Sequence, residues 1–200
     1  MKFKNTIKTN KKTKRQTLKH KFVYVFGYGS IVNTKSLEKT IGEVSEPPIP
    51  AIMNTSAGYK RVWSCMKSKF GTFSYLNVIK SKDPEPINGT LNRVKMSQLR
   101  RLSRREVHYQ IKPVSIKHFK FIQQDIPRDS KIYVFSDVTS IENKSNCFLM
   151  QSYIDVVMEG FLQYGKKFKA DFEKYTMRHI TNRNILQDRR FPIYKNYDFK

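Results

Sequence analysis

Apolar positions along the chain follow two regimes. Between residue 22 and about residue 138 they come as short runs of β-branched and aromatic residues, broken by glycine, proline and polar clusters. From Cys147 onward they recur at helical spacing. Val23 to Phe26 reads as a strand that runs into Gly27-Tyr28-Gly29-Ser30. Residues 34–46 read as a short helix with Leu37 and Ile41 at i and i+4, stopped by Pro47-Pro48-Ile49-Pro50. Ala51 to Ser64 is strand material around Gly58-Tyr59, and Phe70 to Ile79 and Ile87 to Val94 are further strands. Met96 to Val107 is helical, with Leu99 and Leu102 inward and Arg100, Arg101, Arg104 and Arg105 outward. Tyr109 to Ile116 and Ile132 to Val138 are expected to be the last strands, with Phe119 to Ser130 a polar loop or insertion between them.

In the second regime Met150, Ile154, Val157, Met158 and Phe161 mark a helix that Gly165 ends or bends. Phe168, Phe172 and Tyr175 continue on another amphipathic helix. Strands followed by helices define an α+β fold. There is no internal repeat.

Composition adds a charge problem. With 200 residues, 38% of them apolar, the chain can bury one good core. Its formal net charge is +23, from 39 Lys and Arg against 16 Asp and Glu. Residues 1–21 hold nine Lys or Arg and no acid, so the rest of the chain carries +14. Such a balance attracts polyanions such as nucleic acid, and it is equally the solvated surface of a lysine-rich protein. Residues 1–21 have almost nothing to bury and are expected to form a disordered basic arm. Within it Lys11-Lys12-Thr13-Lys14-Arg15 has the composition of a nuclear-import or nucleic-acid patch.

Two cysteines far apart, Cys65 and Cys147, argue against a disulfide framework or a zinc site and fit a reducing compartment. No apolar run reaches the roughly 18 residues of a membrane span, and the N-terminus lacks the apolar segment of a secretory signal. Cytoplasmic location is the expectation, with nuclear or nucleic-acid association through the arm as a variant.

Candidate chemistry centres on two places. A strand feeding Gly27-Tyr28-Gly29-Ser30-Ile31 ahead of a helical turn converges backbone N–H groups on one spot, which suits a carboxylate or phosphate. The plain alternative is an ordinary βα turn. A dinucleotide fingerprint would need glycine where Val32 stands, and Ser30 lacks the Gly-x-Ser-x-Gly context of a nucleophile. Glu106 closes the arginine-rich helix, either as an ion-pair partner for Arg104 or Arg105 or as a general acid/base. The four histidines form no ligand set; His108, two residues from Glu106, can tune it or simply sit on the surface.

Taken together these segments resemble the gamma-glutamylcyclotransferase family. The family's strand and Tyr-Gly-Ser loop correspond to Phe26-Gly27-Tyr28-Gly29-Ser30-Ile31. Its Gly-Tyr-Arg-Arg-like segment corresponds to Gly58-Tyr59-Lys60-Arg61-Val62-Trp63. Its Val-x-Gly-x-Leu-Tyr-x-Val strand matches Ile87-Asn88-Gly89-Thr90-Leu91-Asn92-Arg93-Val94. A helix ending Leu-Asp-x-Arg-Glu-x-x-Tyr matches Leu102-Ser103-Arg104-Arg105-Glu106-Val107-His108-Tyr109. Later, Gln151 to Val157 and the tail Gln187-Asp188-Arg189-Arg190-Phe191-Pro192-Ile193-Tyr194 resemble the extension of a plant- and alga-like branch. Ser103 stands where the family has Asp and Gln187 where the tail has Asn, and the tail's tryptophans are absent.

The resemblance implies a small mixed β-barrel over residues 22–138, with flanking helices and a helical extension and tail over 145–200. It implies release of 5-oxoproline from a small gamma-glutamyl substrate, with neither metal nor organic cofactor. Glu106 would be the general acid/base, Gly27, Tyr28, Gly29, Ser30 and Ile31 the substrate loop, and Tyr153 a further contact to the glutamyl group. The rival expectation is a catalytically inactive member of the fold that binds nucleic acid through its basic charge.

Overall fold

The computed structural model describes residues 22–68, 71–136, 141–142, 147–176, 185–186 and 188. The expected basic arm and most of the tail lie outside these residues. Phe22–Gly27 (β1) lies inside a six-stranded sheet because its apolar run buries both faces. Tyr24 and Phe26 face one hydrophobic cluster, and Val23 and Val25 face another.

On one side β1 pairs antiparallel with Ile87–Lys95 (β5, after the strands named below), with Phe26 opposite Leu91 and Gly27 opposite Thr90. Beyond β5 come Ile49–Met53 (β2) and then Phe119–Phe121 (β7). On its other side β1 pairs in parallel with Ile132–Ser136 (β8), which carries Gln110–Val114 (β6) at the edge. A second sheet is the long hairpin Tyr59–Ser68 (β3) and Gly71–Lys80 (β4), with Ile141–Glu142 (β9) alongside β3. The hairpin sheet packs against the central sheet. The sheets are tied where Ser136 Oγ donates to the Val78 carbonyl over 2.7 Å. Leu149–Met150 (β10) and Ile185–Leu186 (β11) form a short parallel pair.

Among the described residues four helices flank the sheets. Thr34–Ile41 (α1) begins where the Asn33 side chain accepts from the Ser36 N–H at 3.1 Å. It ends at Gly42, whose φ of +80° an L side chain adopts only with strain, so the helix stops short of the expected residue 46. Met96–Arg105 (α2) buries Leu99 and Leu102 against α1 and β1 as the spacing predicts. Gln151–Leu162 (α3) and Lys166–Thr176 (α4) stack Phe161 on Phe172 at 4.2 Å between ring centroids. This is an α+β fold with a mostly antiparallel central sheet, as expected.

Two expectations need correcting. The segment read as a polar loop, Phe119 to Ser130, begins with β7, where Phe119 is buried and packs edge-on against Phe26 at 5.1 Å. The cysteines read as unpaired are joined. Cys65 on β3 and Cys147 ahead of β10 form a disulfide with Cα atoms 5.9 Å apart. The fold brings them together because Phe148 bridges to β4, its N–H donating to Thr72 and its carbonyl accepting from Ser74. Among the described residues no helix is long and apolar enough to cross a membrane.

Candidate active site

The chain leaves β1 at Gly27 and enters a 3-10 turn over Ser30–Val32. The first bond inside that turn runs from the Val32 N–H to the Gly29 carbonyl at 3.0 Å. The N–H groups of Ser30 and Ile31 therefore have no partner within the turn. The backbone is held from behind by Arg61, a buried cation on β3. Its Nη1 donates to the Tyr28 and Asn88 carbonyls, both at 3.0 Å, and its Nη2 to Asn88 Oδ1 at 2.7 Å. The guanidinium also lies 4.6 Å from the Phe172 ring centroid. Burial draws its pKa down to about 9, which leaves it charged at neutral pH.

In front of the loop is a cavity of about 360 Å³. Tyr28, Gly29, Ser30, Ile31, Glu106 and Tyr153 all line it. Gly27 does not; it sits behind, where a Cβ would meet Ile31 Cγ1 at 2.9 Å and Asn92 Nδ2 at 3.0 Å. Gly29 keeps this approach close, since a Cβ there would stand a tight 3.1 Å from the Tyr153 hydroxyl and 3.3 Å from Leu76 Cβ.

Glu106 follows the last turn of α2, its N–H still bonded to the Leu102 carbonyl at 2.9 Å. Burial raises its carboxyl above the ordinary value, and the neighbouring Arg105 pulls it part of the way back. Arg105 was outside the expected site except as an ion-pair partner, yet it joins the two halves. Its Nε lies 3.4 Å from Glu106 Oε1, and its Nη2 donates to Ser30 Oγ at 2.9 Å and Ser36 Oγ at 3.1 Å. Its Nη1 donates to Thr40 Oγ1 and the Ser36 carbonyl.

Two tyrosines line the cavity with the carboxylate. Tyr28 donates its hydroxyl to the Phe135 carbonyl over 2.6 Å. Tyr153, on α3, accepts from the Leu76 N–H at 3.3 Å and meets the Tyr75 ring edge-on at 5.1 Å. Both phenols are pushed up, first by burial and then by the charge of Glu106, so both remain neutral donors. Tyr109 closes another wall by donating to the Leu76 carbonyl at 2.9 Å. Sequence reading did not single out Arg61, Tyr75 or Tyr109. A charged residue alternating with Tyr59 and Trp63 along one strand was the available signal for Arg61.

Chemically this is one carboxyl whose pKa burial raises, facing a glycine loop with unspent N–H donors, inside a cavity lined by neutral phenols. Among the described residues no cluster of His, Cys, Asp and Glu is suited to hold a metal ion.

No protein-family model and no curated protein sequence matches the chain. Solved structures do match. A protein titled gamma-glutamyl cyclotransferase aligns over 77% of this chain and 88% of its own, with a TM-score of 0.55 at 13% identity. A human protein described as uncharacterized aligns over 78% of this chain and 88% of its own, with a TM-score of 0.55 at 14% identity. YkqA from Bacillus subtilis gives a TM-score of 0.59 at 17% identity over 80% of this chain, which spans 56% of that protein. At these identities the likeness is one of fold, and the fold is that of the gamma-glutamylcyclotransferase-like proteins.

Proposed function

We propose that the chain is a gamma-glutamylcyclotransferase-like enzyme that releases 5-oxoproline from a gamma-glutamyl amine or peptide. The observation that carries this reading is the shared cavity of Glu106 and residues 28–31, with the Glu106 carboxyl raised by burial. The substrate's own α-amine attacks its γ-carbonyl carbon, so no enzyme nucleophile is needed. The attacking nitrogen enters as an ammonium with three protons and ends as a lactam N–H with one. The bond to the leaving nitrogen breaks, and that nitrogen gains two protons and departs as an ammonium. One carboxyl cycling between its two forms can carry both transfers, and burial that raises its pKa makes the protonated form easier to reach.

The backbone N–H groups around Tyr28, Gly29 and Ser30 would hold the glutamyl carboxylate or the oxyanion that forms on the γ-carbonyl. Tyr153 would contact the glutamyl group. Holding the chain bent for ring closure supplies a further large share of the rate, because attack becomes an oriented intramolecular step. Arg105 is a positioning residue in this scheme, since it fixes Ser30 and Glu106 to one guanidinium.

The test is an assay for 5-oxoproline from gamma-glutamyl dipeptides. Glu106→Gln is expected to lower turnover by about 10²- to 10⁴-fold, the usual contribution of a positioned acid/base. Unchanged turnover in that variant removes Glu106 from the role.

A further inference from the structure

We infer that Asp188, just past β11, is a positioning residue that sets Tyr153 in the cavity from outside it. The inference rests on the proposed reaction, in which Tyr153 contacts the glutamyl group. Tyr153 stands in the first turn of α3, where backbone N–H groups have no partner inside the helix and fraying is easiest. The local sequence does little to hold that turn. Met150 occupies the N-cap position without a side-chain oxygen, and Gln151, Ser152 and Tyr153 include no acid. The cap comes from 36 residues away instead. Asp188 Oδ1 accepts from the Ser152 N–H at 2.8 Å, and Oδ2 accepts from the Ser152 hydroxyl. The carboxylate also faces the positive end of the helix dipole.

The same short stretch grips the residues just before the helix. β11 runs parallel to β10, with Ile185 opposite Leu149 and Leu186 opposite Met150. The Asp188 N–H then returns to the Leu186 carbonyl at 3.0 Å. The chain is therefore attached on both sides of Gln151, and Tyr153 follows directly after the second attachment. Its hydroxyl is closely placed, accepting from the Leu76 N–H at 3.3 Å and standing 3.1 Å from where a Cβ on Gly29 would be. A frayed first turn withdraws that hydroxyl from the glycine loop, while the rest of α3 stays packed through Val157, Met158 and Phe161. Asp188 itself is exposed and lies outside the residues lining the cavity, so its effect on substrate runs through α3.

The experiment uses the full chain and reads two signals, 5-oxoproline release from a gamma-glutamyl dipeptide and the near-ultraviolet circular dichroism of Trp63. Trp63 is the one tryptophan in the chain, and its ring lies edge-on to the Tyr153 ring at 6.1 Å. Asp188→Ala should raise KM about two- to thirtyfold, the equilibrium weight of a lost helix cap, with kcat changed less. It should also alter the Trp63 band. Asp188→Asn keeps an acceptor at the cap and should restore both signals. In a Tyr153→Phe background Asp188→Ala should add little, because the hydroxyl it positions is already gone. Where Asp188→Ala does not fold, Ser152→Ala, which removes one of the two donors, is read in its place by the same criteria. Losses that add in full, or a variant with the natural KM and Trp63 band, overturn the inference while leaving the reaction standing. A natural chain that releases no 5-oxoproline overturns the proposed reaction and this inference with it.

Discussion

Arg105 and Ser30, 75 residues apart, are joined by a 2.9 Å hydrogen bond from Nη2 to Oγ, while the same guanidinium faces Glu106 across 3.4 Å. One side chain thereby sets where the carboxyl lies relative to the glycine loop. Removing it should do two separable things.

In Arg105→Ala the loop loses its anchor to α2, and Glu106 loses the charge that pulls its pKa back down. The acid limb of the kcat/KM profile should move to higher pH, because Glu106 must be ionised to accept the ammonium proton. Turnover at the optimum should also fall by about tenfold or more, because the loop is no longer held in place. A pH profile of 5-oxoproline release measures both. A limb that stays put separates Arg105 from the electrostatics of Glu106.

Glu106→Gln carries a stability signature as well as a catalytic one. The folded carboxyl is raised above its unfolded value, so the folded state favours the protonated form. That contribution is full below the ordinary carboxylate value and is lost as pH rises through the folded pKa. A permanently neutral glutamine should therefore match the natural chain at low pH and be more stable at neutral pH. Thermal melts at several pH values will show whether the difference opens with rising pH.

Gly160 lets α3 lie directly on the segment that follows the glycine loop. A Cβ there would fall 2.6 Å from Asn33 N and 2.9 Å from Asn33 Cα, both backbone atoms that cannot swing away. Asn33 also donates from Nδ2 to the Val156 carbonyl at 3.2 Å and to Glu159 Oε2 at 3.1 Å. Gly160→Ala should cost about 1–3 kcal/mol of stability by overpacking and loosen the loop with it. Denaturant unfolding of the variant tests the first, and KM tests the second.

The bond between Cys65 and Cys147 closes a loop spanning 82 positions of sequence. Reducing it, or replacing both residues by serine, should lower stability by about 2–5 kcal/mol through the freedom returned to the unfolded chain. Thiol titration should find no reactive cysteine before reduction and two after it. Two reactive thiols in freshly purified protein would contradict the pairing.

Much of the fold was legible because it is written in local periodicity. Val23 to Phe26, Ile87 to Val94 and Met96 onward form the expected elements, since their neighbours in sequence suffice to signal a buried strand or an amphipathic helix. β7 was not legible. Its three residues have Lys120 between the aromatic pair, and the strand exists because Ala51 to Met53 pair with it from across the sheet. The disulfide was hidden for the same reason, as only the bridge between Phe73 and Phe148 brings the cysteines together.

For the candidate site the division is sharper. That a glycine loop follows an apolar strand and that a carboxylate closes an arginine-rich helix can be read from the residues alone, because glycine spacing and charge are local properties. That the two share a cavity and that burial raises the carboxyl follows from the packed fold and from nothing local. The packed fold alone selected Arg105 over Arg104 as the bridging cation and put Gly27 behind the wall rather than on it. Those outcomes depend on distances set by sheet register and helix packing, and on the removal of water, neither of which any short stretch of sequence encodes.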